Sequence, residues 1–82
     1  MSTLVCIPAF NEEKIIGKIV KECLKYSDQV VVCDDGSIDK TFEEAELAGA
    51  ICLKHKKNLG KGAALRSLFN YAKNNNFDII VT

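Results

Sequence analysis

Residues 29–37, QVVVCDDGS, decide how this chain folds. A run rich in β-branched valine, residues 29–33, gives way abruptly to Asp34-Asp35-Gly36-Ser37, four residues with strong turn chemistry. A continuous apolar run bounded this way predicts a strand buried on both faces, as in a parallel sheet covered by helices. On its N-terminal side, Ile16, Ile19, Val20, Cys23 and Leu24 recur at helical spacing, while Lys14, Lys18, Lys21, Glu22 and Lys25 fill the opposite face. Asn11 is expected to cap that helix, with Glu12 and Glu13 in a first turn whose dipole favours acids. Further upstream, TLVCI (residues 3–7) predicts another buried strand, ended by Pro8.

Downstream of the central run the alternation continues. Thr41 with Glu44 predicts a capping box opening a helix through Phe42, Ala45 and Ala48, with Gly49 as its stop. AICL (residues 50–53) predicts a third short strand. Gly60 to Gly62 opens a third helix carrying Ala64, Leu65, Leu68, Phe69 and Ala72, closed by three asparagines at 74–76. FDIIV (residues 77–81) predicts a fourth strand. The order β-α-β-α-β-α-β implies an α/β fold, a Rossmann-like open parallel sheet of about four strands with helices on both faces. Neither a repeat nor a linker interrupts it, so residues 1–82 are expected to form one unit. In open sheets of this kind, ligands bind at the carboxyl ends of the strands. That rule directs attention to residues 8–12 and 34–37.

Composition narrows the function classes. The 82 residues are 48% hydrophobic and 27% charged, which rules out disorder as the main state. Eleven basic side chains meet eleven acidic ones, so no net charge steers the chain toward nucleic acid or an anionic membrane. No apolar run nears the roughly 20 residues that span a bilayer, and no secretory signal follows Met1. Cys6, Cys23, Cys33 and Cys52 have no metal-ligand spacing and fall on apolar positions, which predicts four buried reduced thiols and a cytoplasmic location. A chain this short buries only about 60–65% of its unfolded surface and is expected to be marginally stable.

The strand-end loops carry the chemistry. Pro8-Ala9-Phe10-Asn11-Glu12 lacks the glycines that admit a pyrophosphate, so it is no dinucleotide fingerprint. A rigid proline, an aromatic ring and a carboxylate suit a base or ribose better. The same residues serve equally well as a cap, a dipole partner and a packed ring. Asp34 and Asp35 are adjacent carboxylates that need a donor or cation to answer them. Strand alternation sends them to opposite faces, so one is expected to meet a ligand while the other braces the turn. An Asx-turn at Gly36 accounts for them without a ligand. Gly60-Lys61-Gly62 at a helix N-terminus is a plausible anion cradle but not a Walker A loop. His55 is expected to be a plain strand-end residue, because no acid lies near it in sequence to orient it.

Taken together, IPAFNEE (residues 7–13), VVVCDDGSIDKT (30–41) and NLGKGAALRSLF (58–69) resemble the start of inverting GT-A glycosyltransferases of family 2. The likeness is greatest to polyprenyl (dolichyl) phosphate mannosyl- and glucosyltransferases. Each motif is weak alone; the ordered set at this spacing is specific. The resemblance implies a UDP- or GDP-sugar donor, with Pro8, Ala9, Phe10, Glu12, Cys33, Asp34, Asp35, Gly36 and Lys61 at the nucleotide-sugar site. It gives Asp35 the base, Asp34 a supporting role, and Lys61 a place near the base or diphosphate. It also implies Mg²⁺ or Mn²⁺ in the full-length parent, held by an Asp-x-Asp motif expected after Thr82, and a polyprenyl phosphate or glycan acceptor. The 82 residues thus resemble the nucleotide-binding front of such an enzyme, expected to bind no metal and to lack transferase activity alone. Their last strand, left with an open edge, is expected to invite self-association. A receiver-like phospho-signalling domain and a fragment with no ligand are the rival expectations.

Overall fold

The computed structural model describes residues 3–75 and 78–81. Four parallel strands form one sheet: β1 (Thr3–Ala9), β2 (Gln29–Asp35), β3 (Ile51–His55) and β4 (Asp78–Val81), in the spatial order β3-β2-β1-β4. Three helices, α1 (Ile16–Cys23), α2 (Thr41–Leu47) and α3 (Lys61–Asn74), connect them in the predicted order. Phe77 and Asn76, expected to start β4 and to end α3, lie outside the described residues.

The distribution of helices follows from strand order. The path β1 to β2 to β3 moves one way across the sheet, and β3 to β4 returns the other way. Right-handed crossovers then put α1 and α2 on one face and α3 on the other. The core divides accordingly. Val5, Ile7, Ala9, Val30 and Val32 pack with Ile16 and Val20 of α1 and Ala45 of α2. The alternate residues Leu4, Cys6, Val31 and Cys33 pack with Ala64, Leu68 and Ala72 of α3. β1 and β2 are therefore apolar on both faces, which is why neither shows alternation in the sequence.

Several boundaries differ from expectation. β1 does not stop at Pro8 but runs to Ala9, with Pro8 opposite Cys33 of β2. The β1–β4 ladder ends at Cys6 opposite Val81. At Pro8, β1 thus has a described partner on one flank only, where a residue without an N–H is tolerated. β2 likewise extends through both aspartates, and β3 through His55. Asn11 does not cap α1, which begins only at Ile16 and has no side-chain cap. Nor does Thr41 open a capping box: it is the first helical residue of α2, and its N–H donates to Asp39 Oδ1 at 3.0 Å. Asp39, two residues upstream, takes the capping role because its carboxylate folds back onto the first turn. Of the four cysteines, all are free thiols, but only Cys6 and Cys33 are buried; Cys23 and Cys52 are half-buried.

Candidate nucleotide-sugar site

The β1–α1 loop is latched onto the β2–α2 loop by four hydrogen bonds. Asn11 N–H donates to Ser37 Oγ at 2.8 Å, and Ile38 N–H donates to Asn11 Oδ1 at 3.0 Å. Glu12 N–H donates to Thr41 Oγ1 at 2.8 Å, and Glu13 N–H to an Asp39 carboxylate oxygen at 3.3 Å. Asn11 sits at φ +53°, a left-handed conformation that asparagine tolerates better than most residues. The loop is thereby held against the sheet edge, and Phe10, 44% exposed, is left with its ring partly in solvent.

A second set of contacts joins β2 to the segment before α3. Asp35, only 4% exposed, accepts N–H from Leu59 on Oδ1 and from Gly60 on Oδ2, both at 2.9 Å. His55 Nδ1 lies 2.8 Å from the same Oδ1. Burial works against ionisation of Asp35, but donation by Leu59, His55 and Gly60 outweighs it and holds the carboxyl below the ordinary aspartate value. Gly36, at φ +75°, makes this approach possible. A Cβ there would lie 2.3 Å from the Lys57 carbonyl carbon and 2.4 Å from Asn58 N, so only glycine admits the β3–α3 segment across the end of β2.

Between these two sets lies an open cleft of about 420 Å³, at the carboxyl ends of β1 and β2 on the α3 side. Pro8, Ala9, Phe10 and Glu12 form one wall; Asp35, Asn58, Gly60, Lys61 and Ala64 form the other. Six of the nine residues implied by the family resemblance line it: Pro8, Ala9, Phe10, Glu12, Asp35 and Lys61. Cys33, Asp34 and Gly36 do not. Cys33 is buried under α3. Asp34, 1% exposed, accepts the Ser37 N–H at 3.0 Å and braces the turn, as alternation requires. Gly36 supplies space rather than contact. Gly60, expected as part of an anion cradle, lines the cleft as well, and Asn58 and Ala64 line it without having been assigned to the site.

His55 needs a correction. It does end β3, as expected, but an acid does orient it. The parallel register sets His55 opposite Asp35, twenty positions away in sequence. Asp34 and Lys54 are the preceding pair, so the β2–β3 register was the signal that could have revealed the contact. Among the described residues no three His, Cys, Asp or Glu side chains converge as a metal site. The chemistry gathered here is two carboxylates, one lysine at a helix N-terminus, and one aromatic ring.

Residues 4–82 match the family model described as glycosyl transferase family 2, and the chain belongs to that family. Its α/β fold is of the GT-A type. An uncharacterized protein of Methanocaldococcus jannaschii is 50% identical over 62 residues, covering 74% of this chain and 26% of that protein. A dolichyl-phosphate beta-glucosyltransferase of Trichomonas vaginalis is 35% identical over 77 residues, covering 74% of this chain and 24% of the enzyme. Among solved structures, glucosyl-3-phosphoglycerate synthase from Mycobacterium tuberculosis, in complex with Mn²⁺, UDP-glucose and phosphoglyceric acid, superposes with a TM-score of 0.66 at 32% identity. That match covers 78% of this chain and 27% of the synthase. The chain thus spans about a quarter of the length of these relatives. Family membership displaces the receiver-like alternative; Asp78 opens β4 rather than closing it.

Proposed function

We propose that this chain is the donor-binding portion of an inverting transferase that moves a hexose from a UDP-sugar to a polyprenyl phosphate. The observation that carries the proposal is the convergence of Glu12, Asp35 and Lys61 on one cleft at the strand ends. Phe10 offers a face for the base, and Glu12 an acceptor for ribose hydroxyls. Lys61, in the first turn of the 14-residue α3, offers charge and a helix N-terminus to the diphosphate. The dolichyl-phosphate and UDP-glucose partners of the relatives support the donor and acceptor classes. A divalent metal belongs with such a donor, and the solved relative holds Mn²⁺. Among the described residues no cluster of three His, Cys, Asp or Glu side chains would hold one.

Uridine fits Asp35 better than guanosine does. An ionised carboxylate has about four acceptor positions. Leu59, Gly60 and His55 fill three, leaving one on Oδ2. Uracil presents a single ring N–H between two carbonyls. Guanine presents a ring N–H beside an amino group, a pair that calls for two free oxygens. Titrating the ¹⁵N-labelled chain with UDP, GDP and inorganic phosphate tests this. UDP is expected to shift the Leu59, Gly60 and Lys61 amides, with GDP about tenfold weaker. Silence of those amides toward every nucleotide would leave a fold without a ligand and refute the proposal.

A further inference from the structure

His55 makes contacts beyond the one that helps to fill Asp35. Its side chain is 13% exposed, between Asp35 on one side and α3 on the other. Nδ1 lies 2.8 Å from Asp35 Oδ1, and Nε2 lies 2.8 Å from Ser67 Oγ on α3. Cys33 Sγ is 3.6 Å from the same Nε2. The partners fix the tautomer. Asp35 can only accept, so Nδ1 carries the proton toward it. Ser67 has a hydroxyl proton to give, and burial, reinforced by Asp35 and Asp34, pushes the Cys33 thiol up to about 11, so it stays protonated too. Nε2 has one in-plane position, which Ser67 fills at 2.8 Å with the thiol a more distant neighbour. The imidazole is held at both ends, and a half-turn of the ring would set carbon atoms against Asp35 and Ser67 and lose both hydrogen bonds.

We infer that His55, anchored by Ser67, is a positioning residue that sets base selectivity by occupying the second acceptor position of Asp35 Oδ1. It rests on the proposal that the cleft takes a nucleoside diphosphate. The imidazole acts through Asp35 alone and does not line the cleft. With Nδ1–H in place, Oδ1 is saturated by two donors, and the carboxylate offers a ligand only its remaining Oδ2 position. Without it, Oδ1 regains an open acceptor position beside the one already open on Oδ2, while the Leu59 and Gly60 N–H groups still hold the carboxylate. Two open oxygens side by side suit the paired donors of guanine. Loss of the ring is thus expected to change preference as well as affinity, which a purely structural role would not do. Asparagine carries an N–H donor at the δ position and is the conservative replacement; alanine carries none.

The test measures UDP and GDP affinities of the full chain for wild type, His55→Asn and His55→Ala, by amide-shift titration. Wild type and His55→Asn are expected to keep a preference for UDP of about tenfold. In His55→Ala the preference is expected to shrink to about twofold, from weaker UDP and stronger GDP binding. A His55→Ala chain that keeps the wild-type preference overturns the inference and leaves the donor-site proposal standing, whereas wild type binding both nucleotides equally overturns the inference and the uridine preference with it. Wild type binding neither overturns the donor-site proposal, and the inference with it. Should His55→Ala fail to fold, long-range ¹H–¹⁵N spectra of the wild-type ring decide: an Nδ1–H tautomer is expected, and an Nε2–H tautomer overturns the assignment.

Discussion

Asp35 does at residue scale what a bound anion would do. Its carboxylate gathers the consecutive N–H groups of Leu59 and Gly60 just ahead of α3, and the His55 ring on the other flank. Asparagine in its place turns an N–H₂ toward at least one of those donors. The expected cost is about 1–3 kcal/mol, a fall of about 4–8 °C in melting temperature per kcal/mol. The sign of the pH dependence follows from the depressed carboxyl. The stabilisation is complete above the ordinary aspartate value of about 3.9 and is lost as pH falls through the lower folded value. Thermal melts recorded from about pH 5 down to about pH 2 should therefore show a steeper decline for wild type than for Asp35→Asn. Asp28 and Asp39, also held low by hydrogen bonds, keep some slope in both proteins. Identical slopes would mean that Asp35 is not ionised by its donors in the folded chain.

At the scale of elements, the cleft depends on three chain segments arriving together, and Gly36 is where two of them meet. Alanine there would combine a positive φ with a Cβ driven into the backbone of Lys57 and Asn58. No rotamer relieves a clash with backbone, so about 3 kcal/mol or more of stability should be lost. Chemical denaturation of Gly36→Ala measures it, and a loss below about 1 kcal/mol would show that the β3–α3 segment yields easily. The strands and helices themselves were legible in the sequence because apolar runs and helical spacing report burial directly. Their ends were not. Pro8 reads as a terminator, yet it lies within β1, past the last described β1–β4 pair and opposite Cys33 of β2. Asn11 and Thr41 read as caps, yet their side chains are taken up in latching two loops together. Propensity describes a residue against its own neighbours, and here distant partners had the stronger claim.

For the whole molecule, the order of motifs placed the site at the strand ends, while the β2–β3 register that joins Asp35 to His55 was invisible until the sheet was assembled. Glu12 and Lys61 share a cleft for the same reason: α3 crosses the sheet on its way from β3 to β4 and presents its start beside the end of β1. The sheet has β4 at one edge, paired only with β1 among the described residues. An open edge is a template for a further strand. Sedimentation velocity should accordingly show the chain's mean mass rising with concentration, whereas a monomer at every concentration would contradict pairing through that edge. The most direct measurement is a crystal structure of the chain with UDP. The account predicts the uracil N–H on the open Oδ2 position of Asp35, with Glu12 on the opposite wall of the same cleft. UDP seated elsewhere, or Glu12 and Asp35 found facing different surfaces, would contradict it.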